Sequence, residues 1–377
     1  MGWYGVFNNN PYATDFIVTT PKINGTEQTD GIVTTVTIGG AIEKYFFAGT
    51  KPDDLIIKYE KLTGMPMMPP MWSFGWQQCR YGYVTDELWL EVTEKYDEFA
   101  IPIDTMWADI DYMDDYKIFS VSPSRYANLT KYVKHIRENK NMTFVPIMDA
   151  GVAVRSDIDS YYTLKTGLDN QVFIKQALSD EPLTGGVWCG NAYFPDFYKP
   201  ATTTWWLDNW DYLSKTVGLE VDGIWLDMNE ATSFCDGYCI DSERPKSSLR
   251  NKAYYVPGQR DLETQNLGVD GRHDNTGKDY RIAEYDAHNT FSLMQTKASN
   301  EWLKKEGKRP YVLSRSNFQG LQKYAYHWLG DNWSWVQYMA DSVKDIYEYQ
   351  LFGLPFMGCD LCGFNGDAVA DLCVRWH

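Results

Sequence analysis

The sequence contains no apolar run of about 18 residues, the length that a membrane-spanning helix needs, so no membrane span is expected. Histidine is scarce, with five residues in 377, and no cysteine pair has metal-site spacing with a histidine nearby. A zinc site is therefore not expected, and no cofactor is indicated. Basic residues are in the minority, since 35 Lys and Arg stand against 51 Asp and Glu, a net charge of −16. Binding to nucleic acid needs a basic surface, so that class of protein is not expected either.

The first ten residues, MGWYGVFNNN, have neither the basic start nor the apolar stretch of a signal peptide. They are typical of the interior of a domain. Residues 1–68 then alternate in short β-type runs separated by Gly, Asn, Asp and Pro. This pattern predicts the end of an antiparallel β-sandwich domain, and the proline-rich segment GMPMMPPMW marks its boundary.

From residue 69 to residue 377 the pattern changes, because seven short apolar runs alternate with helical patterns. Two of the helical faces consist of Leu88, Val92, Tyr96 and Phe99, and of Val336, Ala340, Val343 and Tyr347. Strands that are apolar almost throughout, separated by helices, predict a parallel sheet covered on both faces.

Polar residues stand at the ends of these predicted strands. Six of the seven end in or just before a cluster with Asp or Arg: Asp109 and Asp111, Asp149, Asp227, Arg315, Asp331, and Asp360. In an α/β barrel the carboxyl ends of the strands form the active face. A doubly wound sheet would gather the acids at one switch point instead. The spread over many strands therefore favours a (β/α)8 TIM barrel.

The eighth strand of this barrel is not visible before His377, so the barrel is expected to be truncated after strand seven. The polar segment 235–284, rich in Gly, Asn and Asp, is predicted to be an insertion after strand four.

The segment DGIWLDMNEA places Asp222, Asp227 and Glu230 around one apolar strand. Two carboxylates ~5–5.5 Å apart can hydrolyse a glycosidic bond with retention of configuration, and neighbouring barrel strands can hold them at that separation. Acids at strand ends also bind Mg²⁺ or cap helices. Several aromatic residues accompany these strand ends: Trp107, Trp188, Trp225, Trp328 and Trp333. They favour a sugar over a metal as the ligand.

The segment GIWLDMNEA resembles the active-site signature of glycoside hydrolase family 31, the α-glucosidases. Five further segments resemble motifs of the family in the same order: MPPMWSFGWQQCRYGY, MWADIDYMDDYKIF, GGVWCGNAYFPDF, VLSRSNFQGLQKYAYHWLGDNWSWVQ and GLPFMGCDLCGF. The resemblance spans nearly the whole chain and is greatest to the lysosomal acid α-glucosidase, maltase and sucrase group. It implies a retaining α-glucosidase that releases terminal glucose from α-linked substrates.

The resemblance implies that Asp227 is the nucleophile and Asp331 the general acid/base. Further residues are implied to surround the bound glucose: Tyr81, Asp109, Asp149, Trp188, Trp225, Met228, Arg315, Trp328, Asp360 and Phe364. The nucleophile must stay ionised, so Arg315 is expected close to Asp227. The acid must hold its proton, so Asp331 is expected among apolar groups or other carboxylates. Glu230 is expected to support its neighbours, and Asp222 to be structural.

Cys362 and Cys373 resemble a disulfide of the family. Cys235 and Cys239 lie where relatives have one half of another disulfide, and are left either paired together or free. Asn-X-Ser/Thr triplets begin at Asn24, Asn128, Asn141 and Asn332, and they favour a protein of the secretory pathway, lysosomal or extracellular. A glycan on Asn332 would block the implied pocket, so that triplet is discounted.

Other interpretations remain open. A non-catalytic carbohydrate-binding relative is disfavoured because Asp227 and Asp331 are both present, and an α-glucan lyase because DMNE is intact. An α-xylosidase or an endoplasmic-reticulum glucosidase II shares the same motifs. An open barrel exposes strand edges and an apolar interior, so the 377-residue chain by itself is expected to fold poorly or be inactive. Hydrolysis of p-nitrophenyl α-glucoside by that chain, lost in Asp227→Asn, would contradict this expectation.

Overall fold

The computed structural model describes residues 2–20, 22–23, 26–27, 31–239, 261–274 and 281–377. The middle of the predicted insertion and the Asn24 triplet lie outside the described residues. In the described part of the chain, no helix is both long enough and apolar enough to cross a bilayer.

The N-terminal part is an antiparallel ribbon. Its strands are β1 (Trp3–Asn8), β2 (Thr14–Thr19), β3 (Lys22–Ile23), β4 (Thr26–Glu27), β5 (Ile32–Thr37) and β6 (Lys44–Gly49). They pair in a nested order, β1 with β6, β2 with β5 and β3 with β4. The antiparallel β structure predicted for residues 1–68 is thus present, whereas a second sheet packed on the first, and with it the sandwich, stays a prediction.

One element of this region was not predicted, the helix α1 (Pro52–Thr63). Its sequence carried the signals for a helix start, because Pro52 occupies the first turn together with Asp53 and Asp54. Proline lacks an N–H that the first turn would leave unpaired, and carboxylates there favour the helix dipole. The run of β-type residues before Pro52 obscured these signals.

The rest of the described chain alternates between strands and helices. The strands are β7 (Gln77–Gln78), β8 (Thr105–Ala108), β9 (Thr143–Asp149), β10 (Val152–Ala153), β11 (Thr184–Val187), β12 (Gly190–Tyr193), β13 (Ile224–Asp227), β14 (Arg272–His273), β15 (Ile282–Ala283), β16 (Val312–Ser314), β17 (Tyr326–Trp328) and β18 (Met357–Gly358). The helices are α2 (Asp86–Glu98), α3 (Leu129–Lys140), α4 (Tyr162–Asp169), α5 (Pro200–Asp211), α6 (Glu284–Ala287), α7 (Phe291–Lys305), α8 (Val336–Leu351) and α9 (Ala370–Trp376).

Seven of these strands form one sheet in the order β7, β8, β9, β13, β16, β17, β18, and every neighbouring pair is parallel. They are the seven strands predicted from the sequence. The sheet order follows the chain order, so each strand lies beside the previous one, as in a singly wound barrel. Within the described residues β7 and β18 have no further strand beside them.

The sheet is covered on both faces, which is why its central strands are mostly apolar. Met106 and Phe144 pack into the large core beneath the helices, together with Val133 and Trp206. The opposite face holds a second cluster of buried residues, made of Trp107, Val145, Tyr311 and Tyr326. Neighbouring residues of one strand therefore belong to different cores.

A smaller antiparallel sheet, β10–β12–β11, lies beyond the end of β9 and presents the turn between β11 and β12. The described parts of the predicted insertion pair with it and with each other. Lys175 bridges to Arg272, and β14 pairs with β15. Cys235 and Cys239 form a disulfide, which decides between the two alternatives left open, and Cys362–Cys373 forms the other bond that the resemblance implied.

Candidate active site

The carboxyl edge of the seven-stranded sheet gathers the predicted site residues. Asp149 and Asp227 are the last residues of β9 and β13 and are direct neighbours in the parallel register. Asp109 follows β8, Arg315 follows β16, and Asp360 lies two residues beyond β18. Parallel strands carry their carboxyl ends to one edge, so five strands far apart in sequence bring these charges together.

Arg315 is the cation at the centre of the site. Its Nη1 atom lies 2.8 Å from Asp227 Oδ1, and its Nε and Nη2 atoms donate to both oxygens of Glu230 at 3.1 and 3.0 Å. Two parallel bonds of this kind fix the plane of the guanidinium group. Glu230 therefore sets the orientation in which Arg315 faces Asp227.

The turn after β13 directs these side chains. Met228 adopts a left-handed conformation with φ 53°, which is uncommon for a residue other than glycine, and its sulfur accepts from Arg315 Nη2 at 3.1 Å. Asn229 is fully buried and connects the turn to β16, donating to Ser314 Oγ at 2.8 Å and accepting from the Ser316 N–H at 3.0 Å. The sequence analysis did not single out Asn229. Its position inside an apolar run was the signal that it is held by hydrogen bonds.

Burial raises the pKa values of the carboxyl groups in this cluster. Desolvation raises the pKa of Asp109 to about 8 and that of Asp360 to about 7. Desolvation also raises the pKa of Asp227 to about 6, although Arg315 opposes the shift. Asp149 is buried beside Asp227, and desolvation followed by that negative charge raises its pKa well above the ordinary value. Arg315, together with a hydrogen bond from the Met228 backbone N–H, favours the ionised form of Asp227.

Asp331 has a different environment. It follows β17 and, in the described structure, makes no ion pair with a lysine or arginine, but partial desolvation raises its pKa. The next residue, Asn332, is buried and bonded at both ends, donating to Asp360 O at 3.0 Å and accepting from the Phe364 N–H at 3.1 Å. A glycan on Asn332 is incompatible with these contacts, in agreement with the discounted triplet.

Tryptophans line the inner side of the carboxylate cluster. The ring of Trp225 lies edge to face between Trp107, with centroids 5.8 Å apart, and Trp328, at 5.5 Å. The indole Nε1 of Trp225 and Oδ1 of Asp149 are buried without a hydrogen-bond partner among the described residues. Buried polar atoms normally have partners, so these two are available to a ligand.

Other predicted aromatic residues stand on the rim. Tyr81 and Phe364 are about half exposed, with ring centroids 6.5 Å apart. Trp188 lies at the β11–β12 turn, half exposed, and meets Phe234 edge to face at 4.9 Å. Phe234 was missed by the sequence analysis. Its place four residues after Glu230, in the same loop, is the signal that would have indicated it.

Two further acids bond to basic or backbone groups. Asp222 lies before β13, at the opposite end of the strand from Asp227, where it pairs with Arg137 and accepts from the Phe144 N–H at 3.0 Å. Asp111 accepts from the Gly82 N–H at 2.7 Å and so holds the loop after β7.

A parallel sheet with helices between its strands, and with carboxylates, one arginine and tryptophans at its carboxyl edge, is the architecture of an α/β-barrel glycosidase domain. The profile of the glycosyl hydrolases family 31 TIM-barrel domain matches residues 66–377. The chain therefore belongs to glycosyl hydrolase family 31.

Its relatives agree with this assignment. A probable α-glucosidase of Oryza sativa subsp. japonica is 36% identical over 91% of this chain and 37% of its own length. The lysosomal α-glucosidase of Rattus norvegicus is 33% identical over 99% of this chain and 37% of its own length. The crystal structure of an ER glucosidase II heterodimer, a catalytic subunit with the binding domain of a regulatory subunit, superposes with a TM-score of 0.83 at 27% identity, covering 99% of this chain and 38% of that one. The chain thus spans well under half the length of these relatives.

The buried carboxyl groups make the stability depend on pH. The unfolding temperature is expected to fall by several °C as the pH rises from about 5 to about 8. In the unfolded chain an aspartate has a pKa near 3.9, so it has already lost its proton in this range, whereas folded Asp109 and Asp360, with pKa values of about 8 and about 7, hold theirs over much of it. The folded state binds more protons, so stability decreases with pH. Calorimetry at constant ionic strength measures the effect.

The double variant Asp109→Asn with Asp360→Asn should show a smaller dependence on pH. Asp159→Asn, a change at an exposed aspartate, should not. An unfolding temperature that rises between pH 5 and pH 8 would contradict the assignment of these protons.

Proposed function

We propose that the chain carries the catalytic site of a retaining α-glucosidase that releases terminal, non-reducing α-linked glucose from maltose, oligosaccharides or glycogen. One observation carries the proposal. Asp227 is held against Arg315 at 2.8 Å, while Asp331, two strands further along the sheet, has a raised pKa and no ion pair in the described structure. This difference in environment suits Asp227 for nucleophilic attack and Asp331 for proton transfer.

In the first step the ionised Asp227 attacks the anomeric carbon and forms a glycosyl ester. The bond to the leaving oxygen breaks, and Asp331 gives that oxygen its proton. In the second step Asp331 takes a proton from water, the water oxygen attacks the anomeric carbon, and Asp227 leaves as a carboxylate. Two inversions give net retention of the α configuration.

Neighbouring groups support both steps. Arg315 keeps Asp227 ionised in a buried site and stabilises it again when it leaves. Asp109 and Asp149 have raised pKa values and can exchange hydrogen bonds with sugar hydroxyls. Trp225 and Trp328 wall the pocket and exclude water from the ester. Met228, Asp360, Phe364, Trp188 and Tyr81 complete the proposed sugar site.

The configuration of the first product tests this mechanism. Proton NMR during hydrolysis of maltose should show α-glucose before mutarotation produces the β anomer. If β-glucose appears first, the enzyme inverts, and the assignment of Asp227 as a nucleophile is wrong.

The nature of the glycon is the open alternative. The relatives include an α-xylosidase of Arabidopsis thaliana, 33% identical over 90% of this chain and 38% of its own length. Xylose lacks the hydroxymethyl group of glucose, so the ratio of kcat/KM for p-nitrophenyl α-glucoside and α-xyloside decides between the two. A compartment of the secretory pathway is also proposed, supported by two disulfides and by relatives named for the lysosome and the endoplasmic reticulum.

Glu230 is proposed as a positioning residue that acts through Arg315. Glu230→Gln is expected to lower kcat/KM by about 10–100-fold, because a misplaced interaction near the reacting atoms has effects of this size. The negative charge of Glu230 raises the pKa of Asp227, so its removal should move the acidic limb of the pH profile to lower pH. The pH dependence of kcat/KM measures both effects.

Glu220→Gln is the matched control. Glu220 pairs with Arg137 at 3.1 Å at the opposite end of β13, so the change removes a comparable ion pair far from the site. Its pH profile should be that of the unaltered protein. Loss of activity in Glu230→Gln without any shift of the acidic limb would mean that Glu230 does not act on Asp227.

A further inference from the structure

A second cavity, of about 270 Å³, lies behind Glu230 on the side of the insertion. Four separate segments line it: the turn after β13, the described residues 264–266 of the insertion, the junction of α6 and α7, and Ser316, two residues beyond β16. Its volume is near the lower end of the range for small-molecule sites. None of the proposed sugar-binding residues other than Glu230 belongs to it.

The lining is entirely polar, and much of its bonding capacity is unused. Asn266 and Asn289 donate their amide N–H groups to Leu262 O at 3.2 Å and to Pro11 O at 2.7 Å, which leaves both Oδ1 atoms as free acceptors. Their Oδ1 atoms have no partner in the part of the chain that the structure describes.

His288 adds a third acceptor. Its Nδ1 atom lies 2.7 Å from Glu284 Oε1, and a carboxylate can only accept, so the proton is on Nδ1. When the imidazole is neutral, its Nε2 atom presents a lone pair. Gln265 and Ser316, which also line the cavity, can donate as well as accept through their side chains.

Charge and shape restrict the ligand. Glu230 is the one carboxylate in the lining, and Arg315 already neutralises it. Among the described residues, no apolar side chain and no Trp, Tyr or Phe ring lines the cavity, and no group of three His, Cys, Asp or Glu side chains is able to hold a metal. Acceptors from several directions, without net charge, suit a neutral molecule with many hydroxyl groups.

We propose that this cavity is an accessory site for a neutral monosaccharide, separate from the pocket in which bond cleavage is proposed. The choice of glucose as the ligand rests on the proposed function. The inference of a neutral ligand with many hydroxyl groups rests on the lining residues alone. Without an aromatic ring to stack on, the affinity is expected to be weak, with a Kd on the order of millimolar.

The cavity is also connected to the site of cleavage. Among the described residues, Glu230 Oε1 accepts from Arg315 Nε, and Oε2 accepts from Arg315 Nη2 and from Thr232 Oγ1. A hydroxyl of a sugar in the cavity would share Oε1 with Arg315. Glucose that accumulates as product could thereby weaken the hydrogen bonds between Glu230 and Arg315. It would then slow the reaction from outside the catalytic pocket.

The test begins by blocking the pocket of cleavage. A fluorinated α-glucosyl fluoride that traps the glycosyl ester is added, and mass spectrometry verifies one label per chain. Calorimetric titration of the labelled chain with glucose should then show one further site. Thr264→Val combined with Gln265→Leu removes polar groups from the rim of the cavity, where both side chains are exposed, and should weaken this binding at least tenfold.

Gln337→Leu, on the exposed face of α8, is the control and should bind glucose as the unaltered chain does. A labelled chain that binds no glucose overturns the accessory site while leaving the proposed function intact. If methylammonium binds to the cavity and glucose does not, the class of ligand is wrong.

Failure of labelling in a version extended at its C-terminal end with the corresponding region of the rat lysosomal relative would count against the proposed function instead. The titration is then made on unlabelled protein. Weaker glucose binding in the Thr264/Gln265 double variant, but not in Asp227→Asn, supports the accessory site, and equal binding in all variants overturns it.

Discussion

Replacing Asp227 with Asn is expected to lower kcat/KM for p-nitrophenyl α-glucoside by about 10⁴-fold or more, the scale of loss when a covalent nucleophile is removed. The amide has the same shape but cannot form the glycosyl ester. Folding should survive, because Glu230 still holds Arg315 through two bonds. Burial raises the pKa of Asp227, so a neutral side chain there costs the fold little.

Steady-state kinetics and the unfolding temperature are measured on the same preparations. The substitution is made in the 377-residue chain and, in parallel, in a version extended at its C-terminal end with the corresponding region of the rat lysosomal relative. The second series is needed because the isolated chain is itself expected to be poorly active.

Asp222→Asn is the matched control, since Asp222 belongs to the same segment but lies at the other end of β13. It should lower the unfolding temperature, through the lost pair with Arg137, and leave the activity of the folded protein unchanged. Normal turnover in Asp227→Asn, or failure of the trapping reagent to label the peptide that contains Asp227, would refute the role of Asp227.

The sheet could be predicted because its signal is local. A strand buried on both faces is apolar almost throughout, and β8, β9 and β13 each show this pattern over four to seven residues, with polar residues at their ends. The start of α2 was also encoded locally, since Thr85 Oγ1 accepts from the Leu88 N–H at 3.3 Å.

Which face of a helix is buried depends on neighbours that the pattern does not contain. The predicted face of α2 is wrong at its ends, because Leu88 is 37% and Phe99 66% exposed, while Trp89 and Thr93 are buried. The same holds for α8, where Val336, Val343 and Tyr347 of the predicted face are more than half exposed. A period of 3.6 residues identifies the helix but not the surface that it meets.

The candidate site, too, could be predicted only in part. The acids at the strand ends could be predicted, since topology alone brings parallel strand ends together. The environment of each acid could not, because it depends on residues from other strands. Arg315, which follows β16, meets Glu230, which lies 85 residues earlier in the turn after β13. The phenyl ring of Phe234 and the buried amide of Asn229 act through contacts of the same long range.

The influences on the pKa of Asp227 were predicted only in part. Arg315 does contact Asp227, as expected, but desolvation is the larger influence and raises the pKa of Asp227 above its ordinary value. Nucleophile and acid therefore cannot be distinguished by a low and a high pKa alone. They are distinguished by their partners, since Arg315 contacts Asp227 directly at 2.8 Å, whereas its charge lowers the pKa of Asp331 without an ion-pair contact in the described structure.

The different environments of Asp227 and Asp331 lead to the second prediction of a large loss of activity. Asp331→Asn is expected to lower kcat/KM for maltose by about 10²–10⁴-fold, because the leaving sugar needs a proton. In α-glucosyl fluoride the leaving group is fluoride, which departs without protonation, so formation of the glycosyl ester should be almost unaffected. The ester should then accumulate, because no base activates water. Azide needs no general base, so it should restore turnover and yield α-glucosyl azide, seen by NMR.

Asp345→Asn, on α8, is the control and should behave as the unaltered protein. An equal loss with both substrates and no rescue by azide would show that Asp331 is not the proton donor and would return the choice to Asp360, Asp109 and Asp149, other carboxyl groups of the site whose raised pKa values let them carry a proton.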